Sequence, residues 1–581
     1  MLLTTSAFAY TPTLTTGGAQ VKWSGRARIP FAGNPANRSG IDPDSFFQAV
    51  VHGLQRWQSA SGGATTFDYW QGTDPKVYLP NSEYNGLSSI YFASNSGTHL
   101  PSNVLGLTQV WYNTTTGQVI ETDIVLNDKS YRFTTDPRDT SGYGTIRPGA
   151  DGRNVFIENV LTHEMGHAFG LSHSGGLQST MLFMESPEQA YLGCDEQVGI
   201  HAIYPSGDAG KRGALQGKVV SQANQAPVFG AHVLAISRTR GTVLATALTD
   251  AAGNYTIAGL EPGSYYLMAE PFFAGASALP TYYAGMNTKV CAGETFGRTV
   301  LTGPNKNRPT EMQVNPGAAT AAPVLVADCT RTGGASVSAE ADTASETKAP
   351  VIYEGAGSGF GASGEFSTAG EMYFKLKNVS GRVEIHALAY SLYSPVSPSL
   401  KLLNSAGTVV AVSRAEPVYS GASGFTNYDS AILADKLEPG NYTVQISSSK
   451  LNASQYPAGP IALDATQFLL LTGSVNESTP LLSSSLALNA RCRMNEAFAA
   501  YTSPPGPPER TQVQAQKEED RVGFCGTVEN TDSGGDSRGG PGGGSGHHGP
   551  GPAAIAGWCL PWLFMFSSRR WLTRARTPAF G

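Results

Sequence analysis

Three histidines and a glutamate fall within the segment THEMGHAFGLSH, at residues 162–173. On a helix, His163 and His167 project from one face because they are four residues apart, so both rings can bind one metal ion. Glu164 lies beside the first of them, where its carboxylate can reach a water molecule on the same ion. The spacing therefore predicts a metal site with a proton-accepting carboxylate next to it.

The third histidine completes this arrangement if the chain turns back after the helix. Gly170 permits such a turn, because glycine readily adopts backbone conformations that other residues avoid. His173 can then supply a third nitrogen to the ion. Three neutral imidazoles leave a fourth position open for water, which is the arrangement that a catalytic zinc site requires.

The pattern HExxHxxGxxH fixes five positions, and a chance match in a chain of this length has odds on the order of 10⁻⁵. HEMGHAFGLSH resembles the zinc-binding motif of the metzincin proteases. Those enzymes also carry a methionine turn beneath the metal. Met181 follows His173 at the spacing found in matrixins, the matrix-metalloproteinase group, and Ser174 directly after the third histidine resembles them as well. By this resemblance, Met181 forms an apolar floor and contributes no chemistry.

The resemblance extends over about residues 20–205 and implies both a fold and a function. The implied fold is an α/β domain with a twisted mixed sheet and about three helices. The implied activity is hydrolysis of peptide bonds in protein or peptide substrates. One Zn²⁺, held by His163, His167 and His173, would lower the pKa of its water. Glu164 would act as the general base and then pass the proton to the leaving amine.

Other positions depart from the pattern of vertebrate matrixins. No cysteine-switch propeptide precedes the domain. Val125 stands where those enzymes have a histidine ligand for a structural zinc, so we expect one zinc ion and not two. Asp123 and Asn127, on the same strand, are open candidates for a Ca²⁺ site, with an ordinary surface position as the favoured alternative. Phe183 occupies the place of a zinc-binding tyrosine found in some metzincins and excludes that ligand.

Periodic apolar residues predict the elements that must position these side chains. The segment 41–61 has the apolar spacing of a helix, with an Asp-Pro pair at its start. Residues 105–113 and 118–127 form a predicted hairpin, and in matrixin-like folds the first of these strands is the edge that pairs with extended substrate. Two further helices are predicted, over 154–170 with the first two histidines and over 195–205 at the end of the domain.

Length and composition predict a multidomain chain, and with the resemblances they imply an α/β metzincin domain, two all-β sandwich domains and a disordered tail. The expected segments are a signal-peptide remnant at 1–9, the peptidase at 10–208, β-sandwiches at 214–318 and 350–475, a Pro/Gly/Ser-rich linker at 503–552, and an apolar segment with a basic cluster at 553–576. The first sandwich resembles the carboxypeptidase-regulatory-like, prealbumin-type module through GKVV, GAHV and TDAAGNYTIAGLEPGSY. The second resembles the sandwich appended to many secreted bacterial peptidases, mainly through LEPGNYTVQIS, which echoes the LEPGSY of the first.

The charge and the cysteines limit the partners and metals of the chain. With 39 basic and 45 acidic residues the formal net charge is −6, so nothing indicates a nucleic-acid partner. Six cysteines form no CxxC pair, which argues against a cysteine zinc site. Cys291 with Cys329, and Cys492 with Cys525, are guessed disulfide pairs. The isolated histidines, such as His52, have no second ligand at a suitable spacing. We expect a monomer.

The two ends of the sequence predict export. Ala7-Phe8-Ala9 resembles a signal-peptidase site. Residues 553–566 are nearly all apolar, shorter than the ~20 residues of a comfortable membrane span. The basic cluster that follows consists of Arg569, Arg570, Arg574 and Arg576. Together with the glycine-rich tether, this end resembles a bacterial C-terminal sorting signal. It predicts transient membrane tethering, processing near 540–555, and an extracellular or cell-surface location.

The alternative function is a surface adhesion or carbohydrate-binding protein with an inert peptidase domain. The two β-units and the anchor-like end favour it. The intact Glu164 argues against it, because an inert relative would be expected to lose this group first. The loop from Leu182 to Gly193, which shapes the specificity pocket in the resembling enzymes, matches no recognisable pattern, so the sequence does not identify the substrate.

Overall fold

The computed structural model describes most of the residues before 330 and a smaller share of those after it. The described residues are 10–24, 28–72, 84–96, 98–102, 104–137, 154–176, 179–183, 189–207, 209–238, 242–272, 278–302, 309–329, 349, 351–354, 360–365, 371–389, 392, 396–415, 429–450, 467–474, 498–503 and 520–524. The segments 1–9 and 553–576, and most of 503–552, lie outside them. The predicted signal remnant, sorting tail and Cys492–Cys525 disulfide therefore lie outside the described residues.

The region predicted as a peptidase, called the peptidase below, combines a twisted mixed sheet with three helices. Its strands are β1 (Arg28–Gly33), β2 (Thr66–Gln71), β3 (Ser88–Phe92), β4 (Gly106–Asn113), β5 (Val119–Leu126), β6 (Arg132–Thr134) and β7 (Asn154–Phe156), and its helices are α1 (Pro43–Ala60), α2 (Ile157–Ala168) and α3 (Cys194–Ile203). The order in the main sheet is β2-β1-β3-β5-β4. Strand β4 runs antiparallel to β5, whereas β1, β2, β3 and β5 are parallel. The predicted hairpin is therefore present, with β4 on the outer side of β5.

Helix α1 begins as its sequence predicts. The Asp42 carboxylate accepts a hydrogen bond from the backbone N–H of Ser45 at 2.9 Å, and Pro43 occupies the first turn, where its missing N–H has no helical partner to lose. The apolar face packs on α2, and the indole N–H of Trp57 donates to the carbonyl of Thr162 at 2.9 Å. This contact fixes α1 against the helix that carries the first two histidines.

Helix α2 is shorter than predicted. Asn154–Phe156 forms strand β7, which pairs in parallel with β6, so the prediction of a helix over these three residues is wrong. Valine and phenylalanine suit a strand, and here strand pairing outweighs the helical periodicity that continues from the residues after them. The helix proper begins at Ile157 and still includes both histidines and the glutamate.

The first β-unit follows the peptidase directly. Its strands are β8 (Gly213–Ser221), β9 (Ala231–Ser237), β10 (Thr242–Leu248), β11 (Asn254–Leu260), β12 (Gly263–Pro271), β13 (Thr299–Val300), β14 (Met312–Val314), β15 (Ala319–Ala321) and β16 (Leu325–Ala327). One sheet has the order β10-β9-β12-β13, with β14 also on β12, and the other has β11-β8-β15, with β16 also on β8. A disulfide joins Cys291 and Cys329, so this guessed pair is confirmed. Cys194 is disulfide-bonded as well.

The peptidase and the first β-unit share one buried apolar core. This shared core includes Trp57, Leu161 and Val198 from the peptidase helices and Leu215, Leu244 and Tyr255 from the β-strands. At one close approach, a side chain at Gly259 would lie 3.0 Å from the carbonyl oxygen of Val198 in α3. The two units were predicted as separate modules, and their interiors are continuous.

The second β-unit has a core of its own. Its strands are β17 (Val351–Glu354), β18 (Phe360–Glu365), β19 (Met372–Leu388), β20 (Val396–Asn404), β21 (Val409–Val412), β22 (Arg414–Ala415), β23 (Ser430–Lys450) and β24 (Gln467–Ser474). They form one sheet with the order β18-β24-β19-β23-β20-β21. Residues such as Phe374, Leu402 and Val444 fill its core. The repeated LEPG-x-Y segments make the same contact in both units, since the hydroxyls of Tyr265 and Tyr442 donate to the carbonyls of Glu261 and Glu438.

A last strand comes from residues near the C-terminus, between the second β-unit and the glycine-rich stretch. Strand β25 (Asp520–Phe524) pairs antiparallel with β4 over Gln109–Asn113, on the side of β4 that faces away from β5. These five residues lie within the segment predicted as a Pro/Gly/Ser-rich linker. They are neither proline- nor serine-rich, and an open sheet edge offers unpaired backbone groups to any extended segment. Among the described residues, no helix is long and apolar enough to cross a membrane.

Candidate metal centre

The three histidines of the motif converge in the structure. Their ligand-capable ring nitrogens all lie within 4.8 Å of one another, and they are the one group of this kind among the described residues. The Nε2 atoms of His163 and His167 are 3.1 Å apart. Both residues lie on α2, and His173 reaches them because the chain reverses at Gly170, whose φ of +96° is in the region that favours glycine. A side chain at Gly170 would also collide with the backbone of Val21.

Each histidine is held by a backbone carbonyl on the opposite side of its ring. The Nδ1 of His163 donates to Thr180 O at 2.7 Å, and that of His167 donates to Leu171 O at 2.9 Å. His173 Nδ1 donates to Ala278 O, also at 2.7 Å. A carbonyl can only accept, so the proton must be on Nδ1 in each ring and the lone pair on Nε2. These contacts therefore turn three unprotonated nitrogens toward one point.

Burial keeps all three rings neutral. It lowers the pKa of His163 to about 3 and that of His173 to about 4, and it lowers the pKa of His167 well below its usual value. The neighbouring imidazoles lower the pKa of His163 and His167 further. Neutral imidazoles with fixed tautomers are the form that binds zinc, and three of them leave one position free. The donor set and its supporting contacts thus fit a catalytic zinc ion.

Glu164 lies between α2 and strand β4. The hydroxyl of Thr108 donates to Glu164 Oε2 at 2.6 Å and contacts the backbone carbonyl of Glu164 at 2.9 Å. A side chain at Gly106 would lie 2.8 Å from Glu164 Oε1, so glycine leaves space for the carboxylate here. Burial raises the pKa of Glu164 to about 7, and the bond from Thr108 opposes part of this rise. A carboxylate with such a pKa is suited to accept a proton and return it.

Met181 lies against α2, beneath the histidines. A side chain at Gly166 would come within 2.2 Å of Met181 Sδ and 2.9 Å of the Trp57 ring, so only glycine permits this approach. The backbone N–H of Ser174 donates to the carbonyl of Met181 at 2.9 Å. The turn that contains Met181 is thereby joined to the segment that follows the third histidine.

Two acidic residues at the start of α3 support this turn; the sequence analysis placed them in the closing helix without a role at the site. Glu196 accepts hydrogen bonds from the backbone N–H of Met181, at 2.9 Å, and from the hydroxyl of Ser179. Asp195 accepts from the hydroxyl of Ser174 at 2.9 Å. Burial raises the pKa of both carboxyls, and the proximity of Glu196 raises that of Asp195 further.

The candidate calcium ligands do not form a site. Asp123 and Asn127 are buried, so the favoured alternative of surface strand positions is wrong. Asp123 Oδ1 accepts from the backbone N–H of Ser89 at 2.9 Å, and the Asn127 amide donates to the carbonyls of Pro101 and Val104 at 3.0 and 2.7 Å. Both side chains join neighbouring segments of the fold by hydrogen bonds, and the structure gives no support for calcium. Val125, at the position of the absent structural-zinc ligand, is buried in apolar surroundings.

The other described histidines have protein partners or lie outside any ligand group. His52 contacts Glu158 at 3.1 Å, and His232 contacts Glu270 at 2.9 Å. Phe183 packs near the third ligand, with its ring centroid 6.3 Å from that of His173. The central part of the loop between Leu182 and Gly193 lies outside the described residues.

The residues that sequence reasoning missed act mostly through backbone atoms or across long distances in the chain. Thr108 is an ordinary threonine in a strand, and nothing in its neighbourhood signals a contact with Glu164. The carbonyl of Ala278 is 105 residues from His173 and has no sequence signature at all. The acidic pair at the start of α3 was the one available signal, since buried carboxylates in a first turn need partners.

Comparison with known proteins agrees with this geometry. The matrixin family model matches residues 52–205, and the carboxypeptidase regulatory-like domain model matches residues 214–275. Both resemblances derived from the sequence are confirmed: a matrixin-like metzincin domain is followed by a carboxypeptidase regulatory-like β-unit. The fold class, α/β followed by β-rich units, is confirmed as well. No curated protein matches the chain.

Two solved structures similar to parts of the chain are too distant to support an argument. The pre-peptidase C-terminal domain of a collagenase from Bacillus anthracis is 10% identical, with 21% of this chain and 92% of that chain covered and a TM-score of 0.14. The 5-hydroxyisourate hydrolase of Klebsiella pneumoniae is 18% identical, with 20% of this chain and 86% of that chain covered and a TM-score of 0.13.

Proposed function

We propose that the matrixin-like domain is a zinc endopeptidase that cleaves extended protein or peptide segments. The matrixin match at residues 52–205 supports a metalloprotease family in general. The observation that carries the specific proposal is the convergence of three carbonyl-oriented histidines beside the buried carboxylate of Glu164. A structural histidine cluster would not need a proton-accepting group of raised pKa at its side.

Zinc, when bound by His163, His167 and His173, supplies Lewis acidity that polarises the scissile carbonyl and acidifies water. Glu164 accepts the proton of the attacking water and later gives it to the leaving amine. Its pKa of about 7 suits both steps, because the carboxylate is neither too weak a base nor too weak an acid. Thr108 holds this carboxylate in place through its hydroxyl.

The substrate binds along strand β4 in this proposal. The outer edge of β4 offers its backbone groups to an extended chain, and Thr108 places Glu164 next to the same strand. The antiparallel pairing of Asp520–Phe524 along Gln109–Asn113 supports this, since an extended segment already occupies that edge. Backbone pairing of this kind recognises the chain direction of a substrate more than its side chains.

Casein hydrolysis with and without a chelator tests the proposal. Hydrolysis that stops with chelator and returns when zinc is added would support it. Elemental analysis should give one zinc per chain, because Val125 removes the second site. Purified, folded, zinc-loaded protein that cleaves neither casein nor a peptide library would favour the alternative, an adhesion or carbohydrate-binding protein with an inert peptidase domain.

We also propose that the protein is exported and acts outside the cell or at the bacterial cell surface. The Cys291–Cys329 disulfide supports this location, because such bonds persist in oxidising compartments. The intact mass of the mature chain from its native host is the test. Processing near 540–555 would agree with the sorting signal and with transient tethering to the membrane. A mature chain that still ends at Gly581 in the cytosol would exclude both.

A further inference from the structure

The third zinc ligand differs from the other two in the origin of its supporting contact. His163 and His167 are oriented by carbonyls of the peptidase itself, at Thr180 and Leu171. His173 is oriented by the carbonyl of Ala278, which belongs to the first β-unit and lies between strands β12 and β13. The hydrogen bond is 2.7 Å long and buried. The β-unit therefore selects the tautomer and the direction of a metal ligand in another part of the chain.

A second contact joins the β-unit to the residue after this ligand. In β10, the backbone N–H and the hydroxyl of Thr246 donate to the two carboxylate oxygens of Asp195 at 2.7 and 3.0 Å. The same carboxylate accepts from Ser174, which directly follows His173. Ser174 is thus linked through Asp195 to the β-unit.

Apolar packing holds the segment that carries Ala278. Leu279 and Tyr283, from this segment, form a buried cluster with Leu14 from the start of the peptidase and Phe272 from the end of β12. Phe183, next to the His173 ring, packs against the same cluster. The backbone of Gly175 also lies close to side chains of the β-unit, because a side chain at Gly175 would lie within about 3 Å of the His232 ring and close to Phe272.

These contacts are not those expected of a spacer domain. A spacer is joined by a solvated, polar contact that permits relative motion. Here the two units share one core. The buried carboxylate of Asp195 accepts hydrogen bonds from both units, and the Nδ1 of His173 donates to a carbonyl of the β-unit. Separating the units would leave His173 Nδ1 without its acceptor and Asp195 without its donors from Thr246.

We propose that the first β-unit is a structural part of the metal site, and that the segment Ala278–Tyr283 positions His173 for zinc. The inference rests on the proposed zinc site. The β-unit acts through His173 and not on the substrate or the ion, so its residues are positioning residues. Loosening this segment should weaken zinc binding and change the ligand geometry, in addition to any loss of stability.

The test compares two buried leucines of the same β-unit in the full-length chain. Leu279→Ala opens a cavity in the buried cluster that includes Ala278, whereas Leu325→Ala opens one at β16, in the other sheet. Both should lower the melting temperature. Only Leu279→Ala should weaken zinc affinity, by about 10- to 100-fold as for other losses of a ligand's supporting contact. Affinity is measured by competition with a chromophoric chelator. The visible absorption bands of the Co²⁺-substituted protein report the ligand geometry independently of activity.

A threonine pair keeps the proposal testable if Leu279→Ala does not fold. Thr246→Val removes the hydroxyl that reaches Asp195, and Thr249→Val removes one whose bonds stay within the β-unit, to Val228 and Ala231. Zinc affinity should fall, within about tenfold, in the first variant only. Equal affinities and cobalt spectra in Leu279→Ala, Leu325→Ala and wild type would overturn the inference while leaving the zinc site intact. A wild-type protein that binds no zinc would instead overturn the proposed function.

Discussion

The two β-units of this chain have similar strand patterns and opposite relations to the peptidase. Both contain an LEPG-x-Y turn in which the tyrosine hydroxyl donates to the glutamate carbonyl. The first shares its buried core with the peptidase helices and contacts His173 through Ala278. The second has a separate core and meets the first where the guanidinium of Arg298 donates to the carbonyl of Leu392. A β-sandwich pattern therefore identifies a fold without revealing whether the unit takes part in a site.

This difference has a thermodynamic consequence. Units that share an interior lose mutual contacts when either one unfolds, so they unfold together, whereas a unit with its own core can unfold independently. Ligand binding stabilises the cooperative unit that contains the ligand site. Zinc should therefore stabilise the first β-unit together with the peptidase and leave the stability of the second β-unit unchanged, even though neither β-unit supplies a ligand.

The largest expected effect comes from Glu164, the proposed general base, and its loss gives the reference for complete loss of activity. Glu164→Ala should reduce kcat by about 10²- to 10⁴-fold, because the variant cannot take the proton from water. Zinc content should stay at one per chain, since Glu164 is not a ligand. Peptide hydrolysis and metal analysis on the same sample measure both.

Glu158→Gln is the control: Glu158 lies on the same helix and pairs with Arg56 and His52, so this variant should keep its turnover. Near-normal hydrolysis by Glu164→Ala would remove Glu164 from the mechanism.

The second prediction tests the comparison of the β-units directly. Calorimetry should resolve one transition for the peptidase with the first β-unit and another for the second β-unit. Free zinc at a thousandfold excess over its Kd should stabilise the first transition by about 4 kcal/mol and leave the second unchanged.

Cavity variants assign these transitions. Leu402→Ala, in the core of the second unit, should lower only the zinc-insensitive transition, by roughly 2–5 kcal/mol. Leu325→Ala, in the first unit, should lower the zinc-sensitive one. If Leu325→Ala instead lowered a transition that zinc does not move, the two cores would be energetically independent, and the contrast between the β-units would fail.

The sequence predicts those parts of the site that depend on local spacing. Two histidines four residues apart on a helix must share a face, and a glycine after them permits the reversal that returns His173. The start of α1 at Asp42 and the β4–β5 hairpin follow equally from short-range patterns. Where a short segment has both helical periodicity and strand-forming residues, as in Asn154–Phe156, pairing with a distant strand decides the outcome and the sequence prediction fails.

The supporting contacts could not be predicted, for a physical reason. The acceptor for His173 is a main-chain carbonyl, and every residue has one, so no residue type marks Ala278. Asp123 and Asn127 are polar residues, yet both are buried, and partners across the fold bond the Asp123 carboxylate and the Asn127 amide nitrogen. The strand at Asp520–Phe524 depends on an open edge more than 400 residues earlier in the chain. Each of these contacts is a property of the tertiary structure alone.

The third prediction asks whether a positioning contact inside the peptidase has an effect comparable to that from the β-unit. Thr108→Val removes the hydrogen bond to Glu164 Oε2 while keeping the shape of the side chain. Hydrogen bonds to charged groups contribute about 1.5–3 kcal/mol, so kcat should fall by roughly tenfold or more with little change in zinc affinity. Leu279→Ala should give the opposite pattern, with the larger change in zinc affinity.

Thr122→Val is the control for this variant. Thr122 is buried in the neighbouring strand β5, and its hydroxyl has no hydrogen-bond partner in the described part of the chain. Its replacement should therefore leave kcat unchanged and stability equal or higher. Equal losses of kcat in both variants would assign the effect of Thr108→Val to general disturbance of the sheet.

The smallest effect concerns a strand from the far end of the chain that contacts the peptidase. Strand β25 pairs with β4 over Gln109–Asn113, the edge that the proposed substrate also needs. If an internal strand occupies this edge part of the time, substrate can bind only the molecules whose edge is free. The apparent substrate affinity is then the intrinsic affinity multiplied by the fraction of free edges. A chain that ends at residue 503 should therefore have a lower KM, by about twofold or more, with kcat unchanged. It keeps Tyr501, whose hydroxyl accepts from the backbone N–H of Tyr69.

In the full-length chain, Val522→Pro should act in the same direction, because proline cannot donate to a strand ladder. A lower KM in both variants would place the substrate on β4. An unchanged KM in both would show that substrate and tail do not compete, so that the edge of β4 used by β25 is not the substrate site. The second β-unit is intact in both variants, so any difference from wild type belongs to the tail itself.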